Sequence, residues 1–128
     1  MATGFPFNTG DVLTATNMNN LVGFTFNTQT ADYTPVTTDQ YQVCVLTNKA
    51  TAINFTIPTN ASVAYPVGTV ITVLNIGAGT CTIKAVTPAT TTIYSAGAVA
   101  AQPTVAQYKS AACIKTATDT WYVVGGIA

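Results

Sequence analysis

The order of apolar and polar positions along the chain is that of a β protein. From Val70 to Ile76, Val70, Thr72, Leu74 and Ile76 fall on one side of an extended backbone, and Ile71, Val73 and Asn75 on the other. Period-two alternation with many β-branched residues is the signature of a strand. Pro66-Val67-Gly68-Thr69 is a proline-then-glycine turn leading into it. Gly77-Ala78-Gly79 then supplies residues that tolerate positive φ, and Thr80-Cys81-Thr82-Ile83 is expected to return antiparallel, completing a central hairpin.

The same alternation marks Gln40–Leu46 and Ala52–Ile57, which flank Thr47-Asn48-Lys49-Ala50 and predict a second hairpin. Shorter β signals cover Phe24–Phe26, Thr30–Thr34 (confined to an edge or an end by Pro35) and Thr92–Ser95. Gln107–Lys115 and Thr120–Gly125 form a last pair across a turn at residues 116–119, with Trp121 and Val123 facing one way and Tyr122 and Val124 the other. Ala85–Thr92 reads as loop or edge strand and Gly97–Thr104 as a small-residue loop. No internal repeat of fixed period stands out. Short strands at this close spacing predict an all-β domain over residues 30–128, an antiparallel β-barrel or β-sandwich.

Residues 1–29 have a different character and are read as an N-terminal extended arm carrying one short helix. Two aromatics, Phe5 and Phe7, flank Pro6; this is too irregular for a strand and too apolar to float free. Thr14 suits a helix N-cap, Leu13 and Met18 stand where a hydrophobic staple would close, Leu21 and Val22 extend the apolar side, and Gly23 suits the C′ position. A helix of about two turns is unstable alone and has to dock. It docks either on its own β domain or on a neighbouring subunit. Phe5, Phe7, Leu13, Met18 and Leu21 are the candidate partner-binding residues of this arm.

Composition changes the picture of the surface. Of 128 residues, 48% are hydrophobic and 6% charged, with four Asp, four Lys and no Arg, Glu or His. Ordinary domains carry about 25% charge, so Thr and Asn must supply most of the polar surface, and little charge keeps copies apart. Without Arg there is no basic track to release counterions from nucleic acid, so no nucleic-acid partner is expected. No segment approaches the roughly 20 apolar residues of a membrane span, and the N-terminus lacks the cationic and apolar regions of a secretory signal. Cys44, Cys81 and Cys113 lie in apolar runs and read as small buried thiols, with a disulfide pair as the alternative. Assembly in a reducing compartment follows.

The search for chemistry yields no catalytic set. Asp11, Asp32, Asp39 and Asp119 sit beside turns, where Asp makes local hydrogen bonds, and no two are near neighbours in sequence. Ser110 beside Lys109 faces the opposite side of a strand. Three isolated Cys without His match no zinc spacing, and no Asp-rich loop matches a calcium site. Gly77-Ala78-Gly79 precedes no helix and is not a phosphate loop. No enzyme, cofactor or metal is therefore expected. Tyr33, Tyr41, Tyr65, Tyr94, Tyr108 and Tyr122 could stack on sugars, or serve as half-core residues with their hydroxyls tied down.

Several stretches together resemble a β domain widespread in tailed-phage virion proteins, where it commonly forms the C-terminal part of tail fibres and other appendages. They are Ala31-Asp32-Tyr33-Thr34, Ile57-Pro58, Ser62 to Ile71, Gly77-Ala78-Gly79, Gln107 to Ala111 and Asp119 to Gly125. Upstream, Asp11-Val12-Leu13-Thr14-Ala15 with Met18-Asn19 is similar to a segment common near the start of phage structural proteins. The resemblance implies a non-enzymatic, commonly trimeric virion part and transfers no catalytic residue. The short chain, with no long shaft or separate attachment domain, fits a capsid decoration (cement) protein better than a fibre. The partners implied are further copies of itself and the major capsid protein, on the capsid exterior of a virion assembled in the host cytoplasm. The alternative is an appendage tip that binds a host receptor or glycan.

Overall fold

The computed structural model describes residues 25–40 and 43–127. The short helix, its caps and the five arm residues Phe5, Phe7, Leu13, Met18 and Leu21 lie outside the described residues. The described chain is all-β. Its strands are β1 (Thr25–Gln29), β2 (Val43–Thr47), β3 (Ile53–Ile57), β4 (Val70–Asn75), β5 (Cys81–Ala85), β6 (Thr92–Ser95), β7 (Ala98–Val99), β8 (Thr104–Val105), β9 (Lys109–Ala117) and β10 (Thr120–Gly125), with one 3-10 turn at Thr37–Gln40. Seven of them form one sheet in the order β1-β2-β4-β9-β10-β6-β7, and three form a second in the order β3-β5-β8.

The strand positions follow the alternation, but the pairing does not follow the expected hairpins. β2 and β3 belong to different sheets, and so do β4 and β5. At residues 48–52 and again at 76–80 the chain turns a corner from the large sheet into the small one, instead of folding back on itself. Like-directed strands therefore stack: β1 on β2, β2 on β4, and β3 on β5 are all parallel pairs. β6 and β10 are parallel as well, while β4 with β9, β9 with β10, β6 with β7 and β5 with β8 are antiparallel. Both sheets are thus mixed, and the purely antiparallel expectation is corrected. Only the β9–β10 hairpin forms as expected.

The stacked turns also carry a repeat that the sequence hides. Val45 pairs with Val73 and Ile53 with Cys81, so the offset is the same on both sides of the corner, 28 residues, as it is between Thr47 and Asn75. Residues 43–57 and 71–85 are one supersecondary unit used twice, with only Val-Leu (Val45-Leu46, Val73-Leu74) and an Ala (Ala50, Ala78) in common. A parallel ladder needs matching burial at each level, not matching residues. Thr30–Thr34 also departs from expectation: it is no strand, and only Tyr33 bridges across to Phe55.

The core lies between the two sheets. Val45, Ile71, Val73, Cys113, Trp121 and Val123 point in from the large sheet to meet Ile53, Phe55, Ile57, Cys81, Ile83 and Val105 from the small one or its edge. Tyr65 meets Trp121 edge to face, with ring centroids 5.7 Å apart. That geometry adds to what area burial contributes.

The corners set the tightest constraint. A Cβ at Gly77 would fall on the backbone nitrogen and oxygen of Lys49, and one at Gly79 on the backbone oxygen of Thr51. The upper corner can rest on the lower only because neither residue has a side chain. Gly97, in contrast, has φ +82° but open space around it. In denaturant unfolding, Gly79→Ala is expected to cost about 3 kcal/mol or more, since backbone has to move. Gly97→Ala should cost only about 1 kcal/mol, the penalty for an L-residue in the left-handed region. Equal losses at the two sites would refute the stacked-corner account.

Candidate functional site

The buried polar groups come first, because they are where chemistry would be sought. Asn75 is fully buried at the corner. Its amide nitrogen donates to the carbonyls of Gly79 (2.8 Å) and Val105 (2.9 Å), and its oxygen accepts from the Thr47 hydroxyl and the Gly77 N–H, both at 3.1 Å. All four capacities of the side chain are used for holding the turn. Asp39, 2% exposed, accepts from the Tyr33 hydroxyl (2.5 Å), the Asn27 amide (2.8 Å) and the Val36 N–H (2.9 Å). Burial and this carboxylate together push the Tyr33 phenol up to about 12. Asp119 stands at φ +53° in the β9–β10 turn and accepts from the Asn60 N–H (2.7 Å) and the Thr91 hydroxyl (3.1 Å), clipping two other loops to that turn. Asp32 accepts from the backbone and side-chain amides of Asn54, and the backbone hydrogen bond holds its carboxyl below the usual range. Asp11 lies outside the described residues.

Sequence reasoning missed Lys115. It points into the core side of β9 and is 2% exposed, with its ammonium donating to the Asn60 side-chain oxygen (2.5 Å) and the Tyr65 carbonyl (2.6 Å). Burial lowers its pKa. A lysine at this point of an alternating strand should have been suspect: Ala111, Cys113 and Lys115 share one face, and the first two are core. With both partners on residues 60–65, Lys115 fastens that loop to the sheet. Each described Asp, and Lys115 with them, is engaged in holding loops.

The three thiols are free, and Cys81 and Cys113 lie within the core. Burial pushes Cys81 up to about 11 and raises Cys113 and Cys44 as well. A depression lined by Ala85, Pro88, Thr91, Ile93 and Ala100–Gln102 holds about 20 Å³, room for one or two waters and not for a small-molecule ligand. Among the described residues no group of three or more His, Cys, Asp or Glu could hold a metal ion, and no helix is long and apolar enough to cross a membrane.

The tyrosines separate into two sets. Tyr65 is buried with its hydroxyl on the Val36 carbonyl, and Tyr33 is tied to Asp39. Tyr94 and Tyr122 stack on each other (centroids 5.0 Å apart, planes 19° off parallel) on the outside of the large sheet, and Tyr108 is 78% exposed. Tyr41 lies outside the described residues.

That outside surface is the distinctive feature. On the small sheet the outward positions are Asn54, Thr56, Thr82, Lys84 and Thr104, as a solvated face should be. On the large sheet an apolar run crosses the strands, flanked by Thr28, Thr72, Thr92, Ser110 and Thr116. Leu46 pairs with Leu74, Val70 with Ile114, Ile114 with Tyr122, Tyr122 with Tyr94, and Tyr94 with Val99, while Phe26 caps the β1 end. Phe26 is 65% exposed and Val70, Tyr122 and Val124 each more than 40%. No outward position of the seven strands is charged. The signal was legible in most strands, since all but β1 have apolar residues on both parities; which strands lie side by side was not.

Set against family models, curated proteins and solved structures, the chain matches none.

Two predictions follow from the buried groups. At pH 8 the three thiols of the folded chain should resist a disulfide-exchange reagent and all react on unfolding; a fast native reaction would contradict their burial. The Tyr33 phenol has a raised folded pKa, so its neutral form is favoured by folding. The corresponding stability is present below pH 10 and is lost as pH climbs towards about 12. Alkaline unfolding curves should therefore be less steep in Tyr33→Phe than in the parent chain.

Proposed function

We propose that this chain is a non-enzymatic structural protein of a tailed-phage virion: a capsid decoration (cement) protein that, as a trimer, clamps neighbouring capsid subunits and stabilises the head. The observation that carries the reading is the uncharged apolar face of the large sheet, a surface suited to burial against protein. The sequence motifs that resemble phage appendage domains support the same class. So does the engagement of every described Asp in holding loops, which makes a rigid block, not a reactive cleft. The arm read as residues 1–29 ends in the domain, since Thr25–Gln29 form β1 of the large sheet, so the attachment segment is the part ahead of β1, with Phe5, Phe7, Leu13, Met18 and Leu21 as its anchors on the major capsid protein.

A second reading, an appendage tip binding a host receptor or glycan, draws on the exposed Tyr108 and the stacked Tyr94–Tyr122 pair. Aromatic faces of this kind are what sugar rings stack on.

The deciding experiment is binding of the purified chain to undecorated capsids. Saturable binding that raises the melting temperature of the capsid is expected, and Phe7→Ala should weaken it by about 30-fold, equivalent to losing a buried anchor of about 2 kcal/mol. Absence of binding, together with retention on host cells or glycans, would replace the first reading by the second.

A further inference from the structure

We propose that the chain cross-links itself through an amide bond between the side chains of Lys115 and Asn60, made by its own residues once folded. The inference goes beyond the virion reading and is independent of it.

Lys115 has the surroundings of a nucleophile. It stands on the core face of β9 opposite Trp121 of β10 and is 2% exposed. Its backbone is pinned on the other side, donating to the Thr69 carbonyl (2.9 Å) and accepting from the Gly68 N–H (2.7 Å). Both partners of its side-chain nitrogen are neutral oxygens, the Asn60 carboxamide at 2.5 Å and the Tyr65 carbonyl at 2.6 Å. A buried ammonium held by neutral oxygens is costly. The site therefore favours the free amine, and the lowered pKa has the same cause. A lysine desolvated in this way is an amine able to attack a carbonyl carbon.

Asn60 presents that carbon. Its oxygen lies closer to Lys115 than the ordinary N–H···O range of about 2.7–3.2 Å, and the carboxamide carbon is one bond further on. The Asn60 backbone N–H donates to Asp119 Oδ1 (2.7 Å), and the N–H groups of Ser62 and Val63 close the turn on the Thr59 carbonyl. The amide nitrogen of Asn60 has no hydrogen-bond partner among the described residues, and the residue is half-buried, so the leaving group has a way out. Asp119 is held at φ +53°, a conformation that costs a non-glycine residue energy. Its Oδ1 takes the bonds from Asn60 and Thr91, while Oδ2 has no partner among the described residues. Its charge also acts on Lys115, which makes it the carboxylate placed to carry a proton.

The step balances without an oxidant. The Lys115 ammonium gives one proton to Asp119, and the amine, one N–H still on the Tyr65 carbonyl, bonds through Nζ to Asn60 Cγ. A second proton passes from the attacking nitrogen to the departing one as the Cγ–Nδ2 bond breaks. Ammonia leaves, takes up the proton held by Asp119 and becomes an ammonium ion. The new secondary amide closes a loop across a separation of 55 residues, the constraint that a disulfide supplies elsewhere, in a chain whose three cysteines are free.

The test is a tryptic peptide map of the purified full chain. Trypsin can cut after Lys49, Lys84, Lys109 and Lys115 only, since the chain has no Arg. The cross-link blocks cleavage at Lys115, so the map should contain one branched peptide joining residues 50–84 to 110–128, one ammonia lighter than the two hydrated segments together. Lys115→Arg keeps the charge but not the nucleophile, and should give no branched peptide. In chains followed from cell-free synthesis, Asp119→Asn keeps an oxygen for the Asn60 N–H but carries no proton, and should form the branch about 100-fold more slowly. An unchanged rate overturns the role of Asp119. Separate peptides 110–115 and 116–128 from the parent chain overturn the proposal. Loss of ammonia confined to a linear peptide 50–84 also overturns it, marking an asparagine closed on its own backbone as a succinimide.

Discussion

The fold depends on the contact between two corners. Where β2 leaves the large sheet for β3, and β4 for β5, the second corner lies directly on the first, with Gly77 and Gly79 against the backbone of Lys49 and Thr51. Close approach of two irregular backbone segments strands polar groups away from water, and each unpaired group costs about 1–3 kcal/mol. Asn75 resolves this by bonding Gly79, Val105, Thr47 and Gly77 at once. With the corners aligned, β2 on β4 and β3 on β5 fall into register together, and both sheets inherit their order.

From that alignment the division of faces follows. Fixing Val45 against Val73 and Ile53 against Cys81 puts one set of side chains from each sheet into a common core. It also sends Leu46 and Leu74 outward together, and the large sheet acquires an apolar exterior without any strand being unusually hydrophobic. The remaining polar residues serve as ties. Asp119 and Lys115 join segments distant in sequence, and Asp39 ties together the nearby Asn27, Tyr33 and Val36, which keeps the loops of a nearly uncharged protein in place. Such ties contribute specificity of arrangement more than net stability, since each buried charge has first to be desolvated.

The amino-acid sequence by itself determined the all-β class, the positions of most strands and which residues of each strand share a face. Trp121 with Val123 and Ile71 with Val73 stand together on one face, because period two is a local property of extended backbone, and the packing of the two sheets made that face the buried one. It also determined the scarcity of charge. Partner choice belonged to the tertiary structure alone. Alternation states which way a side chain points and not which strand lies beside it, so a glycine-rich turn reads equally as a hairpin or as a corner between sheets. Packing decided for the corner, since only there do Gly77 and Gly79 meet another backbone. The 28-residue repeat, the burial of Lys115 and the apolar run across the large sheet all arise from that choice, because each exists only when residues far apart in sequence are brought together.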